Sequence, residues 1–390
     1  MTTPSPPPAR WRQLAATVRH LQPGQLVARV IERARRIADE RRGPRPWGSL
    51  AHRAPALSPA HAPVTATAAI AAWRTQLQPR DVVWGDVFTF LSVPLDFTAG
   101  IDWDMATPAA QAVVDRALWR FHLHYMDWLW AVEPPYRQRA IADWCARCPL
   151  GAPGGFGGQA SPYTIARRLP NWLLALPAGS PAWESARGQL AFLAGRLEWE
   201  HRANHLLENL IALVTAAWWM EDAAAARWLD RYQTLLRSQL DEQFLHGGVH
   251  FERSTAYHVE LLGRLGDLWL LQQARPLMDA RLEKRLGDVL ARGVRFVRHL
   301  MRPDGTLPLL GDSNAAMRPR PAELLARAGM PPVNEAPARV LSGHVVLADA
   351  RRWVLFDAAP LGPDFSGAHQ HADLMAVEIW IDGRAVVVDG

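Results

Sequence analysis

Between about residues 64 and 330, apolar side chains recur at three- and four-residue steps, the spacing that lines one face of an α-helix. The pattern predicts helices near 67–77, over 109–132 (AAQAVVDRALWRFHLHYMDWLWAV), 135–148 and 162–176, and a longest one over 186–220 (ARGQLAFLAGRLEWEHRANHLLENLIALVTAAWWM). Three more follow in DAAAARWLDRYQTLLRSQLDEQFL, STAYHVELLGRLGDLWLLQQARPL and ARLEKRLGDVLARGVRFVRHLM. Breakers gather between them, in GAPGGFGGQAS and LHGG. Short links set consecutive helices antiparallel, so the series reads as stacked hairpins, either a solenoid or a closed (α/α) toroid. No fixed-period repeat is present, which disfavours the regular solenoid.

The flanks differ. After a Pro-rich start, RWRQLAATVRHL and QLVARVIERARRIADERR predict two basic amphipathic helices split by Pro23-Gly24, and a Pro-, Gly- and His-rich loop covers about 43–63. Beyond Pro331-Pro332 the period drops to two. SGHVVLADARRWVLFDAA alternates around a turn near Ala348–Arg351, and MAVEIWIDGRAVVVDG alternates around Asp382-Gly383, a strong hairpin signal. The expected class is therefore α followed by β: an incomplete (α/α) toroid, then antiparallel β-sandwich material. Its expected divisions are 1–63, 64–332 and 333–390. The few strands in view cannot close a sandwich, so that sheet domain is expected to be cut off at the C-terminus.

Charge changes the picture at one end. The 390-residue chain carries +5 overall, yet residues 1–53 alone hold eleven Arg against three acids. A basic amphipathic start suits an anionic surface, such as a membrane face or a polysaccharide, and lacks the aromatic interleaving of a nucleic-acid reader. No apolar run is long enough for a membrane span, and no apolar stretch at the start marks a standard secretory signal. The eighteen tryptophans are read mainly as core. The only cysteines form Cys145-Ala-Arg-Cys148, without the second pair a zinc site wants, and are read as structural or incidental.

Four clusters could carry chemistry. In Asn204-His205-Leu-Leu-Glu208-Asn209, Asn204, His205 and Glu208 share one face of an apolar helix, as a polar network or a binding group. In Gly247-Gly248-Val-His250-Phe-Glu252-Arg253-Ser254-Thr-Ala-Tyr257-His258, Ser254 can cap the following helix and put Tyr257 in its first turn. Glu252-Arg253 beside it is expected to form an orienting ion pair, or Arg253 to bind an acid. Arg302-Pro-Asp304-Gly305 and Gly311-Asp312-Ser313-Asn314 are turn chemistry that can also line a cleft rim. In Ala368-His369-Gln370-His371-Ala-Asp373 the two histidines of an extended segment point to one side, and Asp389 can return level with His371. That is a partial zinc site, short of the usual ligands.

Together, NHLLEN, GGVHFERSTAYH, PDG…GDSN and AHQHADLMAVEI…VVVDG resemble, in order and approximate spacing, the heparinase II/III family of polysaccharide lyases. LWRFHLHYMDWLW and PYTIARRLPNW look like its branch associated with bacterial exopolysaccharide and cell-envelope loci. The resemblance implies β-elimination on a uronic-acid-containing glycan. It assigns Asn204 and His205 to the uronate carboxylate, Tyr257 to proton transfer, and His369 to the opposite side of the cleft as catalytic partner. Which of Tyr257 and His369 is the base stays open. Glu208 would tune His205, and Arg253, His258 and Asn171 join it as substrate-binding candidates. His371 and Asp389 would hold one structural zinc, with no organic cofactor. The implied partner is an acidic polysaccharide, and the implied location is the periplasm or cell envelope. Two other readings are a non-catalytic polysaccharide-binding or assembly factor, and an (α/α)-barrel glycoside hydrolase using Asp312 and Glu252 as its paired carboxylates.

Overall fold

The computed structural model describes residues 21–77, 82–315, 318–327, 329–331, 339–363, 365 and 371–388. Its helices are α1 (Pro23–Arg42), α2 (Val64–Leu77), α3 (Pro108–Gln111), α4 (Arg116–Tyr125), α5 (Pro134–Arg147), α6 (Pro162–Ala175), α7 (Ala182–Ala194), α8 (Ala203–Thr215), α9 (Asp222–Gln243), α10 (Thr255–Ala274), α11 (Ala280–Leu300) and α12 (Pro321–Leu325). Consecutive pairs α6/α7, α8/α9 and α10/α11 pack on each other as hairpins. Alternate members also touch. α4 meets α6, α6 meets α8, α8 meets α10 and α10 meets α2, while α2 meets the 3-10 turn Asp127–Ala131 that follows α4. These neighbours run in a closed cycle.

Two antiparallel sheets accompany the helices. β1 (Val83–Trp84), β2 (Val87–Phe90) and β3 (Val93–Asp96) form a small meander. β4 (Val340–Leu341), β5 (His344–Ala348), β6 (Arg352–Asp357), β7 (Val377–Ile381) and β8 (Arg384–Val387) form a five-stranded meander in sequence order. The β7–β8 hairpin turns on Asp382 and Gly383, both with positive φ (51° and 73°). This is the two-residue geometry that matches strand twist. Arg302 at the end of α11 forms an ion pair with Glu378 on β7, and His299 Nε2 lies 3.0 Å from the His344 carbonyl. These contacts fix the sheet against α11.

Most predicted helices are found within a residue or two, and three expectations are corrected. The helix expected over 186–220 is two, α7 and α8, because residues 195–202 leave the helix and Arg202 and Ala203 take positive φ (58° and 47°). Asn209 holds this break: its Oδ1 accepts from Glu198 N and its Nδ2 donates to Glu198 Oε2, both at 2.9 Å. The segment over 109–132 divides into α3, α4 and a 3-10 turn, with Met126 left-handed (φ 57°). The first meander was not foreseen. RWRQLAATVRHL lies outside the described residues apart from Leu21.

The core is one continuous cluster, and most of its largest members are tryptophans, including Trp47, Trp144, Trp172 and Trp218. Cys145 and Cys148 are free, and burial pushes both thiols up. α7 packs directly on the 3-10 segment Trp47–Arg53, and a Cβ on Gly188 would overlap the Trp47 carbonyl. Backbone cannot yield as a flexible side chain can. Gly188→Ala is expected to cost about 1–3 kcal/mol, the range for overpacking, read as a lower urea midpoint with an unchanged m-value.

Candidate functional site

Arg167, nine-tenths buried on α6, joins three separate stretches of the chain. Its guanidinium reaches Asp127 Oδ2 and Glu260 Oε2, each at 2.9 Å, and lies 3.9 Å from Glu208 Oε1. Glu208 is on α8 and Glu260 on α10, each five residues into its helix. Back at the helix starts, Asn204 N donates to Glu252 Oε1 at 2.8 Å, just ahead of α10. The two contacts make α8 and α10 parallel neighbours with their N-termini at the same end. Peptide dipoles give that end positive potential, which favours a bound anion.

Asn204, His205 and Tyr257 all belong to these two N-terminal turns. Asn204 is buried, and its Oδ1 has no hydrogen-bond partner among the described residues. His205 stacks on Tyr163, with ring centroids 4.3 Å apart, and its Nδ1 lies 3.2 Å from Glu198 Oε1. Burial alone would lower the imidazole, but the Glu198 charge and hydrogen bond outweigh it and hold His205 above its ordinary value. Burial would likewise raise Glu198, and His205 holds it below. The expected partner, Glu208, is therefore corrected: it faces Arg167, and burial raises its carboxyl.

Ser254 caps α10 as its sequence position predicts, with Oγ accepting from Tyr257 N at 3.1 Å. Ser313 Oγ accepts from Ala256 N at 3.1 Å, so the Gly311–Asn314 loop sits over the same helix end. That brings Asp312 to Tyr257, whose hydroxyl donates to Oδ2 at 2.5 Å. Burial, then the Asp312 hydrogen bond and charge, raise the phenol far above its usual range. It is a neutral proton donor at physiological pH. Arg253 does not offset this. It donates to the Ser342 carbonyl at 2.9 Å, across to the sheet.

Two of the substrate-binding candidates prove to be framework. His258 is 1 % exposed, with Nδ1 accepting from His250 N and Nε2 3.1 Å from the Gly293 carbonyl, and burial lowers it to about 4. Asn171 is fully buried. Its Oδ1 accepts from Arg74 and from Trp130 Nε1, and its Nδ2 donates to Asp127 Oδ1 at 2.9 Å. Arg167, Glu198, Tyr163 and Asp127 were missed. The signal for Arg167 was available, since Arg167-Arg168 interrupts an otherwise apolar helix face and buried arginine demands partners.

The cavity measures about 760 Å³ and is lined by Trp73, Trp128, Trp130, Phe90 and His122, with Arg74, Arg167 and Arg264 among them. These three guanidiniums are matched by carboxylates: Arg74 with Asp267, Arg264 with Asp127, and Arg167 as above. Aromatic faces with fixed polar groups suit a sugar ring. At the sheet side, a narrow cleft holds Arg253, Asp357, His371 and Asp373. His369 and Asp389 lie outside the described residues. Asp373 is engaged by the Gly311 N–H, and among the described residues no group of three His, Cys, Asp or Glu gathers to hold a metal. The described donors therefore do not make up a zinc site.

Residues 186–325 match the model for the heparinase II/III N-terminus, and residues 331–390 that for the heparinase II/III-like C-terminal domain. No curated protein matches the chain. A crystal structure of heparinase III is similar with a TM-score of 0.57 at 16% identity, over 75% of this chain and 53% of that one. The heparinase III BT4657 gene product gives 0.50 at 16%, over 75% and 54%. Heparan sulfate lyase HepC from Pedobacter heparinus gives 0.47 at 20%, over 80% and 54%. The chain thus spans about half the length of these structures, and at such identity the likeness speaks for the fold.

The His205–Glu198 pair has a defined pH signature. His205, raised when folded, stabilises fully below its unfolded value of about 6.5 and loses that contribution as pH rises through the folded pKa. Glu198, lowered when folded, contributes above about 4.5 and loses it as pH falls through its folded pKa. Stability from the pair is thus greatest between those two values. Glu198→Gln is expected to remove that maximum, so that the thermal midpoint falls less on either side of the window, and to shift the His205 NMR titration downward.

Proposed function

Because the chain belongs to the heparinase II/III family, we propose that it is a polysaccharide lyase cleaving a uronic-acid-containing glycan by β-elimination. The observation that carries this reading is the pair of parallel helix N-termini bearing Asn204 and His205 on one and Tyr257 on the other. In the reaction the C5–H bond breaks, a C4=C5 double bond forms, and O4 departs with a proton. The hard step is removal of a proton beside a carboxylate, since the developing negative charge spreads onto that carboxylate. Asn204 and His205, the latter raised by Glu198, are the groups that would bind and neutralise it, where donors matter most as charge appears.

Tyr257 is held neutral by Asp312, which supports it as the donor to departing O4 rather than as the resting base. His369 is then the proposed acceptor of the C5 proton. The aromatic cavity beyond Arg167 would hold the adjoining sugars, and Arg253 lies in the cleft on the sheet side as an acid-binding candidate. The periplasm or cell envelope is the site of action this family resemblance implies.

Incubation with heparin, heparan sulfate, alginate and glucuronan is expected to raise ultraviolet absorbance from an unsaturated uronyl end with at least one of them. Cleavage that leaves only saturated ends would overturn elimination, and binding with no turnover would favour a carrier. On the productive glycan, His205→Ala is expected to lower kcat about 10²–10³-fold, as for loss of an oxyanion donor. Tyr257→Phe is expected to lower it about 10²–10⁴-fold, the range for general acid–base catalysis.

A further inference from the structure

Helix α1 packs with its polar side inward. Its buried residues are Gln25, Glu32 and Asp39, two turns apart on one stripe. Arg196 binds both acids from the opposite side, reaching Glu32 Oε1 at 2.8 Å and also pairing with Asp39. Arg35 donates to the Gly195 carbonyl at 3.0 Å, and Arg36 bonds Glu32 at 3.2 Å. Its valines and isoleucines face away from the protein. Val27 is 59% exposed, Val30 71%, Ile31 45% and Ile37 42%, and none joins the hydrophobic core. With exposed Ala34 they form one stripe roughly 120° wide at 3.6 residues per turn. Exposed Arg33 borders it on one side, Arg35 and Arg42 on the other, and Arg41 lies in line with it beyond Ile37.

An exposed helix normally turns this face to the core. Here ion pairs anchor the helix while its apolar stripe is left for something else. Charge decides what. A second copy laid along the stripe would bring the positive charge of Arg33, Arg35, Arg41 and Arg42 close to its own counterpart, and the preceding residues, with Arg10, Arg12 and Arg19, are equally basic. An anionic bilayer surface satisfies both parts, since valine and isoleucine enter the acyl boundary while guanidiniums remain at the phosphates. No described helix is long and apolar enough to cross a membrane. We propose that α1 lays the protein on an anionic membrane surface through Val27, Val30, Ile31 and Ile37, flanked by its arginines.

The test is cosedimentation of the full chain with extruded vesicles of phosphatidylcholine, alone or mixed equally with phosphatidylglycerol. The expected result is binding to the mixed vesicles only, weakened by added salt. Val30→Glu with Ile31→Glu is expected to reduce binding about tenfold or more, with unchanged circular dichroism and melting. Arg33→Gln with Arg41→Gln, which leaves the stripe intact, is expected to weaken binding and reduce its salt dependence. Wild-type protein that stays in the supernatant with mixed vesicles overturns the proposal. So does a dimer in lipid-free ultracentrifugation that the Val30/Ile31 variant dissolves, because the stripe is then covered by a second copy. Activity on soluble glycan does not enter this readout, so the membrane contact and the lyase reading can fail separately.

Discussion

A single guanidinium sets the geometry of the helical body. Arg167 is buried among Asp127, Glu208 and Glu260, which come from three separate stretches of the chain. A buried charge that loses its partner costs about 3–5 kcal/mol, so the helices cannot slide past one another without breaking the set. The constraint works at a distance as well. By holding α8 and α10 level one turn in, it keeps their first turns side by side, where Asn204, His205 and Tyr257 are carried.

Those first turns hold two proton positions of opposite character. Glu198 lying against it raises His205, whereas burial, with the Asp312 hydrogen bond, keeps the proton on Tyr257. A histidine raised by a carboxylate and a phenol that keeps its proton thus share one positive helix end. Neither property belongs to the residue type alone. Each is tuned by a carboxylate on a loop, Glu198 in the break before α8 and Asp312, added to burial, in the loop over α10. The loops tune the groups that the helices position.

Much of this was legible from pattern. The helix-then-strand division, the Asp382-Gly383 hairpin and the Ser254 cap depend on near neighbours, and periodicity and turn chemistry report near neighbours well. The clusters Asn204-His205 and Ser254–Tyr257 stood out because polar groups in apolar or breaker contexts demand an explanation. The break at 195–202 did not stand out. Its flanks are apolar on both sides, so the hydrophobic rhythm runs on through Leu197 and Trp199 although the backbone turns. The side chain that holds the turn, Asn209, sits in the next helix and gives no local sign. His205 was likewise paired in expectation with Glu208, its neighbour on the helix, whereas its partner Glu198 becomes close only through that turn.

Local sequence thus determined which segments are helix or strand, where several of them start and turn, and which polar residues had to be accounted for. Tertiary structure decided the partners: Glu198 for His205, Asp312 for Tyr257, Arg167 for three separate stretches of the chain, and burial for His258 and Asn171. It also decided that α1 turns its apolar stripe outward, against what its periodicity alone would suggest. The reason is range. Backbone propensity and periodicity act over a few residues, while charge pairing and burial act between residues brought together by folding, at separations that no local pattern records.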